Sequence, residues 1–553
     1  MNSDVRTTLA GAGLADEARD EAAEKRPAQP AVDAVSAATP GRLRSLLRLA
    51  TLRTHWLMTV FVVVGIIMRI ITLQAYQPGL LNLDSWAYLD NAGPLNPQFL
   101  DPIGYPLLIL RPLLPLGGIH TVVIVQHLAG LGIGLAIYVL ALRLGSRRWL
   151  AALAAAPVLI DAFELNVEET ILSDIWLQVA VVIVVWLLLA KGVPGPGRAA
   201  LAGLFVGVSL TIRMVALPLI VPVVLYLILA GGQWRSAAGW RKIATRTGAC
   251  AAAFAVVVFS YAAYFHSVTG QWGLNTASGN SIYGRTAEIA NCPQDDLTKV
   301  LQELCPKEPL GQRLGSDAYA HADGTPGWPG YVPPGKTIYD LDKEFAYKVI
   351  EHQPLQVAAA VLVDFAKGFW PTHITFGTDP PAITWQFLTV YPAYYSAPNQ
   401  TVPQIVAMQQ AYVRKYSGGP GVASPVLGQI LRDYQTVIYT PGPFLLLAGI
   451  FGCVAGFGYG RAKRSKLRAP ALLLVAMAVT LLAMAAAFEF SWRYQLPALV
   501  LLPLAAAVAL TALTGGGARR EPVGELAAEE AALNETSAEE AVADDENGPA
   551  EPT

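Results

Sequence analysis

The chain is short of charge. Asp, Glu, Lys and Arg make up 14% of its 553 residues, against 54% hydrophobic residues. A water-soluble domain carries roughly a quarter charged residues, so an ordinary soluble enzyme does not fit. The formal net charge is only −2, without the basic footprint of a nucleic-acid-binding protein. There are four cysteines, none in a CxxC or CxxH pattern, which removes the usual zinc and thiol-redox motifs. Of the seven histidines, His127, His266 and His373 stand isolated and carry no assigned role. The beginning of the chain lacks the short apolar core and cleavage site of a signal peptide. Gly130, Gly132 and Gly134 have GxG spacing, but inside an apolar run with no preceding strand. They read as helix packing and not as a dinucleotide loop.

What the sequence has is long apolar runs, several near the roughly 18–20 residues that a bilayer-crossing helix needs. Spans are expected at 56–76, 119–142, 149–163, 170–190, 199–212, 214–231, 244–265, 436–458, 469–489 and 494–514. The fold class is therefore an all-α polytopic membrane protein with about ten transmembrane helices. Basic clusters set its direction: Arg42, Arg44, Arg48 and Arg53; Arg143, Arg147 and Arg148; Lys191 and Arg198; Arg235, Arg241, Lys242 and Arg246; Arg461, Lys463, Arg464, Lys466 and Arg468. With ten spans all of them fall on one side, which the positive-inside rule makes cytoplasmic together with both termini. Residues 1–48 and the acidic stretch 515–553 read as disordered cytoplasmic tails.

Four segments remain for the outside: a first loop 77–118, an acidic turn at 161–169, a block 266–435, and the turn from Glu489 to Arg493. Cys292 and Cys305 lie in the block, and two cysteines in an oxidising compartment read as a disulfide. Cys250 and Cys453 fall in apolar spans as packing residues. Residues 270–345 read as irregular loop with short helices. Residues 355–370 are apolar but interrupted by Asp364 and Lys367, and read as a helix lying at the outer interface. In the tract 371–400, Trp385, Tyr391, Tyr394 and Tyr395 read as headgroup anchors or as sugar-stacking surfaces.

Ionisable groups at membrane depth are costly and are functional candidates. Asp84 follows the first span closely, with Tyr88 and Asp90 after it. Its carboxylate could take a proton from an attacking hydroxyl or could cap a helix. Asp161, Glu164, Glu168, Glu169 and Asp174 form a second acidic group, with Asp174 about one turn into a span. Asp84 and Asp174 together could bind a divalent cation, or share base and positioning work. Arg213 and Arg493 lie at outer ends of spans, and an arginine fork suits phosphate. Arg69 and Arg111 read as residues snorkelling to headgroups.

Taken in order, "LDSWAYLDNA" with "GYPLLILRPLL", "ETILSDIWLQVAVVIVVWLLL", "ALAGLFVGVSLTIRMVALPLIVPVVLYL" and "SWRYQLPALVLLPLA" resemble the GT-C superfamily of membrane glycosyltransferases. The likeness is to bacterial relatives of protein O-mannosyltransferases and lipid A aminoarabinose transferases, over residues 56–265 and 436–514. It implies a GT-C-like transmembrane core at 49–265 with C-terminal helices at 436–514. It also implies sugar transfer from a polyprenyl-phosphate donor to an acceptor hydroxyl of a glycan, lipid or protein, at the outer membrane face. Asp84 would then be the catalytic base. Asp174 would help build the acceptor or metal region, and Arg213 and Arg493 would hold the donor phosphate. Tyr88, Asp90, Glu168 and Glu169 would support the acceptor. No cofactor is certain; a divalent cation is one that the carboxylates could hold. The family's adjacent acidic pair is absent, since Ser85 follows Asp84. A composition rich in Ala, Gly and Arg suits the cytoplasmic membrane of a high-GC bacterium, and so a mannose or arabinose donor. The competing readings are a transporter or flippase of a lipid-linked sugar and a non-catalytic membrane scaffold.

Overall fold

A computed structural model describes residues 53–515, apart from 83, 98–100, 231–235, 277, 323, 328–329 and 392–401. The tails read from the sequence, together with Arg235, Tyr394 and Tyr395, lie outside the described residues. Two units divide the chain, Met1–Trp56 and Leu57–Thr553, and the account below concerns the second.

The described chain is mainly helical, with two strands of two residues each. Five helices are long and apolar enough to cross a membrane: α1 (Trp56–Ala75), Pro106–Arg143, α9 (Ala237–Thr269), α18 (Arg468–Ala486) and Trp492–Leu513. The second of these runs from a π-helical turn into α3 (Arg111–Arg143), and the last from a 3-10 turn into α19 (Leu496–Leu513). Two bent pairs raise the number to seven. They are α4 (Arg148–Ile160) with α5 (Ala162–Glu169), and α16 (Pro425–Val437) with α17 (Gly442–Phe457). Shorter apolar helices are α6 (Asp174–Leu189), α7 (Pro196–Ile212) and Met214–Leu229, which ends in α8 (Ile220–Leu229). Among the described residues, length and composition alone therefore identify five to seven spans, with the three shorter apolar helices beside them.

Several expected boundaries move, each for a local reason. The span expected at 119 is preceded by helix from Pro106, and Gly118, with φ +69°, kinks the run where the expected loop ends. The span expected at 436–458 is broken between Val437 and Gly442, where Pro441 precedes α17. Asp174 is the first residue of α6 and not a turn inside it. Small residues let helices close up: a Cβ on Gly203 of α7 would lie 2.0 Å from the Cys250 carbonyl oxygen of α9. Cys250 is thus a buried packing residue in that seam.

The block 266–435 is more helical than its composition suggested. It contains α10 (Ser278–Ile289), α11 (Lys299–Gln302), α12 (Ser316–His321), α13 (Ile338–His352), α14 (Pro354–Lys367) and α15 (Val402–Ser417). Tyr283, Leu301, Leu304, Tyr319, Phe345 and Val349 give it a small core of its own. Thr337 and Asp340 form a reciprocal capping box that starts α13. α14 is exposed at Leu355, Leu362 and Val363. Its interrupting Asp364 is buried against Arg285 and lies 2.6 Å from Lys367. Cys292 and Cys305 are disulfide-bonded beside the small core. Replacing both by serine should cost the block roughly 3 kcal/mol through the short closed loop. Limited proteolysis should register this as faster cleavage within 290–310, with the spans still protected.

Candidate active site

The site is assembled from chain segments lying just beyond helix ends. After α1 the chain runs extended. Tyr76 and Gln77 (β1) pair antiparallel with Val422 and Ala423 (β2), with Tyr76 opposite Ala423. Leu80 then bridges to the segment before α6: its N–H donates to the Glu169 carbonyl at 2.9 Å, and its own carbonyl accepts from the Ile171 N–H at 3.0 Å. The Ser85 hydroxyl donates to the Ile171 carbonyl at 2.9 Å. These bonds hold the loop carrying Asp84 against the one leading to Asp174.

Asp84 occupies the N-cap position of α2 (Ser85–Asn91), but its side chain makes no capping hydrogen bond. It meets Arg493 instead, 409 positions away, with Arg493 Nη1 donating to Asp84 Oδ2 at 2.5 Å. Arg213 Nη1 likewise donates to Asp174 Oδ2 at 2.7 Å. The Tyr494 ring joins the two pairs, with the Arg213 and Arg493 guanidinium carbons 5.6 and 5.3 Å from its centroid. Arg493 also lies 5.6 Å from the Trp385 ring. Trp385 is buried, so it belongs to this cluster and not to a headgroup belt. The 3-10 turn bearing Arg493 is fixed by Trp492 Nε1 donating to the Ile374 carbonyl at 2.9 Å. Gln495 Nε2 adds a bond to the Gly368 carbonyl at 2.6 Å.

Electrostatics follow from this placement. Burial pushes the Asp84 carboxyl upward, but Arg493, and after it Arg213, outweigh burial and hold it below the usual carboxylate range. Asp101 was not singled out from the sequence. Burial and then the charge of Asp84 push its carboxyl up to about 7. The buried Tyr88 hydroxyl donates to Asp101 Oδ1 at 2.8 Å and lies 2.8 Å from Ser173 Oγ. Asp90 is more open and accepts from the Tyr412 hydroxyl at 2.8 Å.

Glu168 and Glu169 are not at an open turn. Both are fully buried and face away from solvent. Arg69 binds Glu168 with two bonds, at 2.9 and 2.7 Å. His127 stands between the glutamates, Nδ1 2.7 Å from Glu168 and Nε2 2.8 Å from Glu169. Arg69, expected to snorkel, is 2% exposed. A carboxylate at the end of α5 captures it first. Arg111 is exposed, with Nε donating to the Ala92 carbonyl at 3.3 Å.

Asp84 and Asp174 are each neutralised by an arginine, so the divalent cation expected between them has no free carboxylate pair there. Among the described residues, the group that could hold a metal ion is Asp317, His321 and Glu489. The Tyr494 hydroxyl donates to Glu489, which ties that trio to the arginine cluster.

No protein-family model matches the chain, and no curated protein matches it. One solved structure that aligns with it is the oligosaccharyltransferase AglB from Archaeoglobus fulgidus, in complex with an inhibitory peptide and a dolichol-phosphate. The alignment has 12% identity and a TM-score of 0.37. It covers 83% of this chain, which spans about half (50%) of the length of that one.

Proposed function

We propose that this protein is a membrane glycosyltransferase that moves a sugar from a polyprenyl-phosphate donor to an acceptor hydroxyl, with Asp84 as general base. The observation that carries the reading is the meeting of two carboxylates and two guanidiniums around one tyrosine ring, at helix ends. The reading also takes up the GT-C resemblance of the four sequence segments. It places about ten spans in a bacterial cytoplasmic membrane with both termini inside, the site facing outward, and a hexose or pentose on the donor.

The arrangement suits the chemistry. A donor phosphate competes with Asp84 for Arg493, because a fork of N–H donors binds phosphate as readily as carboxylate. Once released, the Asp84 carboxylate loses its main neutralising partner and becomes a stronger base. The acceptor hydroxyl gives its proton to Asp84 as its oxygen bonds to the anomeric carbon. The bond from that carbon to the phosphate oxygen breaks, with inversion. Arg493 and Arg213 stabilise the charge developing on the leaving polyprenyl phosphate. Burial around Tyr494 keeps water from screening them.

Arg493→Ala and Arg213→Ala should each lower kcat/KM for donor on the order of 10²-fold, measured by release of polyprenyl phosphate from a radiolabelled donor in lipid. Arg493→Lys should restore only part, since a point charge lacks the fork. Equal turnover by wild type and Arg493→Ala would remove Arg493 from the donor site.

A transporter is the second reading, favoured by the charge network of Arg69, His127, Glu168 and Glu169, since intramembrane ionisable groups mark ion pathways. Those side chains are at most 3% exposed and are bonded to one another, which suits a structural tie better than a path.

A further inference from the structure

α12 is a short helix, and Asp317 and His321 lie four positions apart on one face of it. His321 Nδ1 is 3.2 Å from Asp317 Oδ1. Glu489 reaches the same point from the turn between α18 and the last span. One ligand atom from each of the three lies within 4.8 Å of the others. Among the described residues no Lys or Arg makes a salt bridge to Asp317 or Glu489. The Asp317 and Glu489 carboxyls thus converge within hydrogen-bond reach of each other, with the His321 imidazole beside them. Asp317 and His321 side chains are 38% and 41% exposed, so an ion can enter and keep water ligands. The Tyr494 hydroxyl donates to Glu489 Oε1, which orients the carboxyl toward Asp317, its other hydrogen-bond partner, as second-shell bonds orient a ligating carboxylate.

We propose that Asp317, His321 and Glu489 hold one divalent transition-metal ion, of the Mn²⁺ or Zn²⁺ class, beside the two arginines. One imidazole nitrogen with two carboxylate oxygens suits these ions better than Ca²⁺ or Mg²⁺, which take oxygen ligands. Ligand atoms bound at about 2.1 Å to a common ion stand roughly 3–4 Å apart, so a small side-chain adjustment closes the site. Three protein ligands leave positions open for water and for one further oxygen. The ion's role rests on the glycosyltransferase reading: it would neutralise a donor phosphate oxygen that the arginines do not reach. Its binding does not rest on that reading.

The test is metal binding by the full-length protein in lipid, stripped with a chelator. Mn²⁺ is titrated and followed by electron paramagnetic resonance, with Zn²⁺ as competitor and bound metal counted by elemental analysis. The expected result is one tight ion per chain, displaced by Zn²⁺, with affinity at least 10-fold weaker in His321→Ala and Glu489→Gln. Asp84→Asn, outside the proposed ligand set, should bind as wild type does. His321 is exposed, so its variant also serves should Glu489→Gln not fold. No tight ion in wild type, or equal binding by wild type and His321→Ala, overturns the proposal. A bound ion lost in His321→Ala, in a protein that transfers no sugar, supports the site and counts against the transferase reading alone.

Discussion

Asp84→Asn should lower turnover by roughly 10²–10⁴-fold, the range for loss of a positioned general base, without weakening donor binding. Asparagine keeps the size of the side chain but cannot accept the acceptor's proton, and it no longer holds Arg493 by charge. Arg493 is then freer for phosphate, so KM for donor should stay level or fall. Arg493→Ala should do the opposite and raise KM. The pH profile gives a second signature. In the free protein Arg493 and Arg213 outweigh burial and hold the Asp84 carboxyl below its ordinary range. A group so shifted stays ionised at neutral pH, and activity that depends on it is lost as pH falls through its pKa. With donor on Arg493 that pKa moves up, so the acid limb of kcat should lie at higher pH than that of kcat/KM. Both limbs should vanish in the residual activity of Asp84→Asn. An unchanged acid limb in that variant would assign the base to another group, with Asp101, held at about 7 by burial and by the Asp84 charge, the first alternative.

Arg69→Met should destabilise the protein by about 3–5 kcal/mol, the cost of breaking a buried ion pair from one side. Glu168 is fully buried and would keep its charge with His127 alone. The effect reaches the site, because the segment after Glu168 positions Leu80, Ser85 and Asp174. Gln126 spans the same segment, donating to the Glu168 and Thr170 carbonyls at 2.8 Å each. Gly130→Ala should damage the same network, since a Cβ there would lie 1.8 Å from Glu168 Oε1 and 2.9 Å from Arg69 Nη2. The double variant Arg69→Met with Glu168→Leu should recover much of the loss, because it leaves no unpaired charge. Denaturation midpoints in one detergent compare the three variants. A loss under about 1 kcal/mol for Arg69→Met would mean that Glu168 finds another partner or takes a proton.

Helices were legible because apolar runs of span length have few other solutions in a bilayer. That Asp84, Asp174, Arg213 and Arg493 lie near helix ends was legible; that they meet in space was not. Asp84 and Arg493 are 409 positions apart, and no local periodicity links them. The burial of Arg69 is hidden for the same reason. A lone arginine near a helix end snorkels unless a carboxylate meets it, and that carboxylate sits 99 positions on. Two local signals are present in the block. Thr337 and Asp340 have capping-box spacing at the start of α13, and Asp317 and His321 have the four-residue spacing that puts two ligands on one helix face. Composition hid both, since a segment rich in Gly and Pro reads as loop. Asp101 follows unpatterned loop sequence and gave no signal at all.

The most direct test of the central claim follows a doubly labelled donor, with radiolabel in both sugar and lipid, in sealed proteoliposomes of the purified protein. The account predicts that the sugar label leaves the lipid and appears in a new glycosidic bond, that polyprenyl phosphate is released one for one, and that Asp84→Asn does neither. If both labels instead cross the bilayer together with the sugar–phosphate bond intact, the protein is a transporter and the glycosyltransferase account is wrong.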